Sequence, residues 1–329
     1  MNTHSRRFGR RLLGAVAGLA LITAACGSDD SSSSGSGSTD PTVAETTVAD
    51  VAAPEPTAPD DTAAASEGES EGAGQRVVSL SPTHTEMMFA IGAGDQLVAV
   101  DQFSDYPADA LALPNELSAF DNNVEAIAAY EPDLVLIGGD FSGLGPQLDE
   151  LGIAWWDGPA ASTIDDTYRQ IEELGDATGR DAEADALVAS MQAEIDEIVA
   201  ATPVPAEPLT VFHELDDTLF SIDSTTLFGE LYGLLGLRNI ADTAEGDSGG
   251  YPQLNAEFVV SADPDFIFLA DTKCCGQSLD TVAARDGWAD MTAVRNGNVL
   301  ELDDDVASRW GPRIVDFLRA VSDAVTAAS

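Results

Sequence analysis

The sequence predicts an α/β protein of two lobes built around a long helix, and three observations carry that prediction. Short apolar strands alternate with helical stretches on both sides of the chain's middle, the pattern of parallel α/β folds. From Asp181 to Ala200, Leu187, Met191, Ile195 and Ile198 recur at spacings of four, four and three, which is one face of a long helix; Pro203, Pro205 and Pro208 stop it. The flanking regions also repeat one another. Val124–Ile137 lies over Ala256–Leu269, with Glu125 on Glu257, an acidic-Pro-Asp turn on its counterpart and an apolar strand on another. A weaker echo pairs Glu86–Gly92 with Glu230–Gly236. A helix, a Pro-Asp turn and a strand form a common αβ connection, so coincidence is the competing explanation of the repeat.

Before the folded part come two segments of other kinds. Residues 1–26 read as a signal peptide: a basic head (Arg6, Arg7, Arg10, Arg11), then an uncharged, mostly apolar run from Leu12 to Ala25. That run has 14 residues, too short for a bilayer, which needs about 20. Ala24-Ala25-Cys26-Gly27 resembles the lipobox of bacterial lipoproteins, although Thr23 stands where leucine is commonest. The resemblance implies an exported protein held at the outer face of the cell membrane by a lipidated Cys26. An ordinary secreted protein is the alternative. The Arg pairs allow a twin-arginine route, although the residues after them fit it poorly. Residues 27–75 are mostly Ser, Gly, Thr, Ala, Pro and acids, with no aromatic or basic residue, a composition expected to be a disordered acidic tether.

Order is expected from Arg76. Arg76–Leu80 reads as a strand, and Thr83 and Glu86 have capping-box spacing at the start of a helix filled by Met87, Met88, Phe89 and Ile91. His84 is expected to serve that first turn. Strands follow at Leu97–Val100, Leu134–Ile137 and Ile153–Trp156, with a short helix at Val124–Tyr130. These give an N-terminal α/β lobe over 76–158 and a helical connection over 159–207. A C-terminal α/β lobe over 208–329 holds strands at Leu209–Phe212, Phe266–Leu269 and Val299–Leu302, and a last helix near Pro312–Val325.

Charge excludes whole function classes. The 329 residues hold 14 Lys and Arg against 58 Asp and Glu, a formal net charge of −44. Such a surface repels phosphate backbones, so no nucleic-acid partner is expected. Lys273 is the single lysine and no phosphate-binding Gly-x-x-x-x-Gly-Lys motif exists, which excludes a P-loop NTPase. With two histidines beyond the leader and no His-Glu-x-x-His, a bare-metal site is disfavoured.

Several stretches together carry a resemblance. Arg76-Val77-Val78-Ser79-Leu80-Ser81-Pro82-Thr83-His84-Thr85-Glu86, Ser104-Asp105-Tyr106-Pro107, Asn123–Ile127 with Glu131–Val135, Tyr251-Pro252-Gln253-Leu254 and Gly311–Val315 occur in an order similar to that of substrate-binding proteins for cobalamin and iron chelates. The resemblance runs from about residue 76 to about 320. It implies two Rossmann-like lobes joined by one long rigid helix, with small lobe rotations rather than wide closure. It also implies delivery of a bulky chelate (iron-siderophore, haem or cobalamin) to an importer's permease dimer and its ATPase. It adds no cofactor beyond the bound chelate and no enzyme activity, and a monomer is expected.

The site residues follow from the same matches. Phe103, Phe120 and Tyr251 fall where the family places cleft aromatics, and a large chelate needs apolar walls with few polar fixers. Core packing is the competing role for each. Arg309 and Trp310 precede Gly311-Pro312-Arg313 in a loop expected to face the cleft, where Arg309 can hold an anionic group or pair with nearby acids. His213 ends a strand, a place that opens on ligand crevices, or sits half-buried and satisfied. Glu125 and Glu257 suit helix N-termini; in the resembling family the matched acids dock on transporter arginines. Cys274 and Cys275, in an oxidising space, can form a strained vicinal disulfide or stay free. Two rival functions stand beside the binding protein: an exported receptor or sensor, and a secreted hydrolase using the serine loop Gly246–Gly250, whose protease-like signature lacks the all-β context.

Overall fold

The computed structural model describes residues 74–121, 123–244 and 248–329. The leader, Cys26 and nearly all of the tether lie outside the described residues, as do Gly246 and Asp247 of the serine loop. No helix among the described residues is long and apolar enough to cross a membrane.

The N-terminal lobe runs β1 (Val77–Ser79), α1 (Pro82–Ala90), β2 (Leu97–Val100), α2 (Val124–Ala128), β3 (Leu134–Ile137), α3 (Leu144–Leu151) and β4 (Ala154–Asp157). Two helices follow, α4 (Ile164–Thr178) and the 21-residue α5 (Asp181–Ala201). The C-terminal lobe runs β5 (Thr210–Glu214), α6 (Leu227–Leu234), β6 (Arg238–Asn239), α7 (Ala256–Ala262), β7 (Phe266–Leu269), α8 (Thr272–Cys275), α9 (Leu279–Ala283), α10 (Thr292–Asn296), β8 (Val299–Glu301) and α11 (Ile314–Ala328). Both sheets are parallel and share one topology: β2-β1-β3-β4 and β6-β5-β7-β8.

The internal repeat extends to atomic detail. Glu131 and Asp263, at φ 47° and 46°, both take the left-handed conformation before a proline. The aspartate after each proline then grips the start of its lobe's central strand: Asp133 Oδ2 accepts from Arg76 N and Asp265 Oδ2 from Thr210 N, each at 2.8 Å. Asn123 and Asn255 cap the preceding helices, accepting from Ala126 N and Phe258 N. An Asn cap satisfies one orphan donor of the first turn.

Strand alternation decides which faces meet. Leu134 and Leu136 of β3, with Phe266 and Phe268 of β7, point into one apolar cluster that also holds Ile171 and Leu174 of α4, Val188 and Met191 of α5 and Phe317 of α11. Their neighbours Val135 and Ile137, and Ile267 and Leu269, point into two separate outer clusters. A single core therefore continues from one lobe through the helices into the other.

Two local expectations are corrected here. The cap of α1 is Ser81, whose Oγ accepts from His84 N, with Pro82 opening the helix; Thr83 and Glu86 form no capping box. His213 is fully buried, with Nδ1 2.8 Å from the Tyr232 hydroxyl and its ring stacked near Phe228 and Phe317. Burial lowers its pKa to about 3, so it is a neutral core histidine and no part of a ligand crevice.

On the other side of β5, Glu214 is fully buried and held by both Nη atoms of Arg285. Asp271 lies beside it, equally buried. Burial first, and then the neighbouring Glu214, push the Asp271 pKa up to about 7. The folded state thus binds a proton that the unfolded chain releases near pH 4. Stability should fall as pH rises from about 4 through about 7, relative to an Asp271→Asn variant that carries no such proton. Thermal melts of both proteins across that range check this; parallel curves would remove Asp271 as the titrating group.

Candidate functional site

In both lobes the strands end toward the same region, as expected for ligand crevices of open α/β sheets. A cleft of about 860 Å³ opens there. Its N-lobe wall comes from the loops after β1, β2 and β3, and Asp305–Trp310 after β8 closes it from the C-terminal lobe. Phe103 and Phe120 meet edge to face at 6.1 Å while remaining 47% and 85% exposed. Phe141, 93% exposed, adds a third ring. Gly139 permits it: φ is +99°, and a Cβ there would stand 2.5 Å from the Phe141 ring. Rings this exposed are not packed as core and present apolar faces to a ligand.

Arg309 fixes the floor. Its Nη1 donates to Glu86 Oε1 (2.8 Å) and Asp105 Oδ1 (2.9 Å), and its Nη2 to the Phe103 carbonyl (3.1 Å) and Asp305 Oδ1 (2.7 Å). Arg313 donates from Nε to Glu86 Oε2 at 2.8 Å and stacks over Tyr106 at 4.2 Å. Glu86, on α1 and only 3% exposed, therefore joins the lobes through two guanidiniums. Of the two roles open to Arg309, holding an anion or pairing with nearby acids, the structure shows the second: acids of this chain occupy its terminal nitrogens, and what it positions is the loop carrying Phe103.

Trp310 is held by α4. Its Nε1 donates to Gln170 Oε1 (2.8 Å), which also takes a hydrogen bond from His84 Nε2 (3.1 Å), and Thr167 Oγ1 donates to the Trp310 carbonyl. His84 is buried edge-on against Trp156 and Trp310, and burial lowers its pKa to about 4. Behind the floor, Ser104 Oγ donates to the buried Asp101 (2.6 Å) and lies 2.9 Å from Thr85 Oγ1, which donates to Ser79 Oγ.

Among the sequence-expected residues, the structure thus gathers Phe103, Phe120, Arg309 and Trp310 at one cleft. Tyr251 is outside its lining: it is half-exposed on the C-lobe loop near Asp223. Cys274 and Cys275 stand unbridged on α8, the second of the two states open to them. Consecutive helical side chains diverge by about 100°, and loss of hydration, the Cys275 contact and nearby acids push the Cys274 thiol up to about 12. Glu125 and Glu257 are both exposed, each the second residue of its helix. Phe141 went unnoticed in the sequence because a lone aromatic between Asp140 and Ser142 in a glycine-rich loop gives no periodic signal.

Two mirrored α/β lobes with an aromatic-walled cleft at their strand ends define a two-lobed ligand-binding protein. Residues 77–306 match the periplasmic binding protein family, and the chain belongs to it. It is 30% identical over 263 residues to the vitamin B12-binding protein of Pectobacterium carotovorum subsp. carotovorum (strain PC1), covering 78% of this chain and 90% of that one. It is 29% identical to the uncharacterized ABC transporter substrate-binding lipoprotein YvrC of Bacillus subtilis (strain 168), covering 76% and 80%. The crystal structure of the periplasmic vitamin B12-binding protein BtuF of Vibrio cholerae superposes with a TM-score of 0.63 at 27% identity, covering 77% of this chain and 97% of that one.

Proposed function

We propose that this protein is exported, anchored outside the cell membrane through Cys26, and captures a bulky metal chelate of iron-siderophore, haem or cobalamin type for an ABC importer. The cleft carries the reading. Its volume suits a ligand larger than an amino acid or sugar, and its exposed rings suit the apolar face of a chelate. The relatives named for vitamin B12 binding support the same ligand class. Glu125 and Glu257, matched by the repeat on the two lobes, are the proposed contacts for the two halves of a permease.

Calorimetry with cobalamin, haem and a ferric siderophore tests the capture step. Phe120→Ala should weaken the chelate that binds by about 1–3 kcal/mol, the range for truncating a buried aromatic anchor. Tyr251→Ala measured beside it decides whether Tyr251 adds a ring to the Trp310 that the C-terminal lobe already places in the lining. Unchanged affinity in Phe120→Ala would take the ligand out of this cleft.

A further inference from the structure

We infer that the cleft selects a chelate without net negative charge, neutral or cationic, and rejects anionic chelates. The inference rests on the chelate-binding reading and adds the charge class of its ligand.

Arg309 is the single cation among the described residues lining the cleft. It is 7% exposed, and its terminal nitrogens are already occupied by Glu86, Asp105, Asp305 and the Phe103 carbonyl. The cations nearest to this cluster are bound in the same way. Arg313 spends Nε and Nη2 on Glu86, and Lys273 Nζ lies 2.6–2.7 Å from Asp303 and Asp305. The exposed Arg238 and Arg295 are at the far end of the C-lobe sheet. Arg238 is in register with the first residue of β5, and Arg295 leads into the start of β8. The short undescribed stretches within the lobes, Asn122 and Glu245–Asp247, contain no base.

Acids remain on the wall. Asp105 keeps 52% of its side chain exposed beside Phe103, and Asp305 keeps 25%. A carboxylate or catecholate entering here meets like charge and finds no unpaired donor of opposite sign. Binding would require breaking a buried ion cluster that also joins the lobes. A neutral corrinoid or a cationic ferric hydroxamate meets aromatic faces and partial negative charge, both favourable.

The test is fluorescence and calorimetric titration of the full chain with four probes: cyanocobalamin, a cationic ferric trihydroxamate, haem with its propionates, and an anionic ferric tricatecholate. The better of the first two should bind about a hundredfold more tightly than either anionic probe at low salt, the scale of like-charge juxtaposition. Gln102→Arg, a new cation on the exposed wall, should narrow that gap about tenfold. An anionic chelate binding as tightly as the best neutral or cationic one overturns the charge assignment and leaves chelate capture standing. No binding by any probe overturns both.

Discussion

Glu86→Ala is expected to lower the unfolding free energy by about 3–5 kcal/mol, the cost of removing one partner from a buried charge cluster. Glu86 is 3% exposed, and both of its oxygens accept from guanidiniums on the other lobe. Without it, Arg313 loses its single carboxylate within hydrogen-bonding reach among the described residues, and Arg309 keeps Asp105 and Asp305 at the cleft rim. The loss differs from that of surface pairs such as Arg169–Asp166, where Arg169→Ala removes a 55% exposed arginine and should cost under about 1 kcal/mol. Urea titration of the two variants side by side measures the contrast. Glu86→Gln should fall between them, since the amide oxygen still accepts one hydrogen bond. Equal midpoints for Glu86→Ala and Arg169→Ala would show that the cluster does not hold the lobes together.

Glu86 also shows why part of this site was illegible in the sequence. Three residues after Thr83, it fits a local capping pattern, and nothing in one sequence indicates that its partners are 223 and 227 residues away. Arg309 was visible as a cleft residue although its role stayed open: position follows from the loop after β8, whereas the engagement of its nitrogens depends on acids from both lobes. His213 failed differently. Alternation places it on the inner face of β5, and the aromatic cluster of Phe228, Tyr232 and Phe317 that covers that face is assembled from α6 and α11. Seven of the strands were legible as apolar runs, β3 and β7 to the residue, whereas the two-residue β6, Arg238–Asn239, carries no apolar signal and went unread. The helix α4 was not picked out, although it positions Trp310 through Gln170 and Thr167. Its buried face includes Thr167, Gln170, Gly175 and Thr178, which dilute the apolar period.

Reversing both matched acids, Glu125→Arg with Glu257→Arg, should abolish ligand-stimulated ATPase activity of the reconstituted importer while leaving chelate affinity and folding nearly intact. Each acid occupies the second position of its helix, after an Asn cap and six residues before a left-handed acid, Pro and Asp. Favourable interaction with a helix N-terminus accounts for an acid at either place and contributes only about 0.3–1 kcal/mol. It does not require both side chains to stay exposed at equivalent points of two lobes with the same strand order. Under the proposed docking, a permease of two similar halves would meet such a pair symmetrically, and charge-assisted contacts to basic residues on it would fix register and encounter. Reversal replaces two attractions with two repulsions, so the double variant should lose coupling far beyond either single one. Circular dichroism and calorimetry on the same preparation separate this from misfolding. Full ATPase stimulation by a folded, ligand-binding double variant would show that the permease docks elsewhere on the protein.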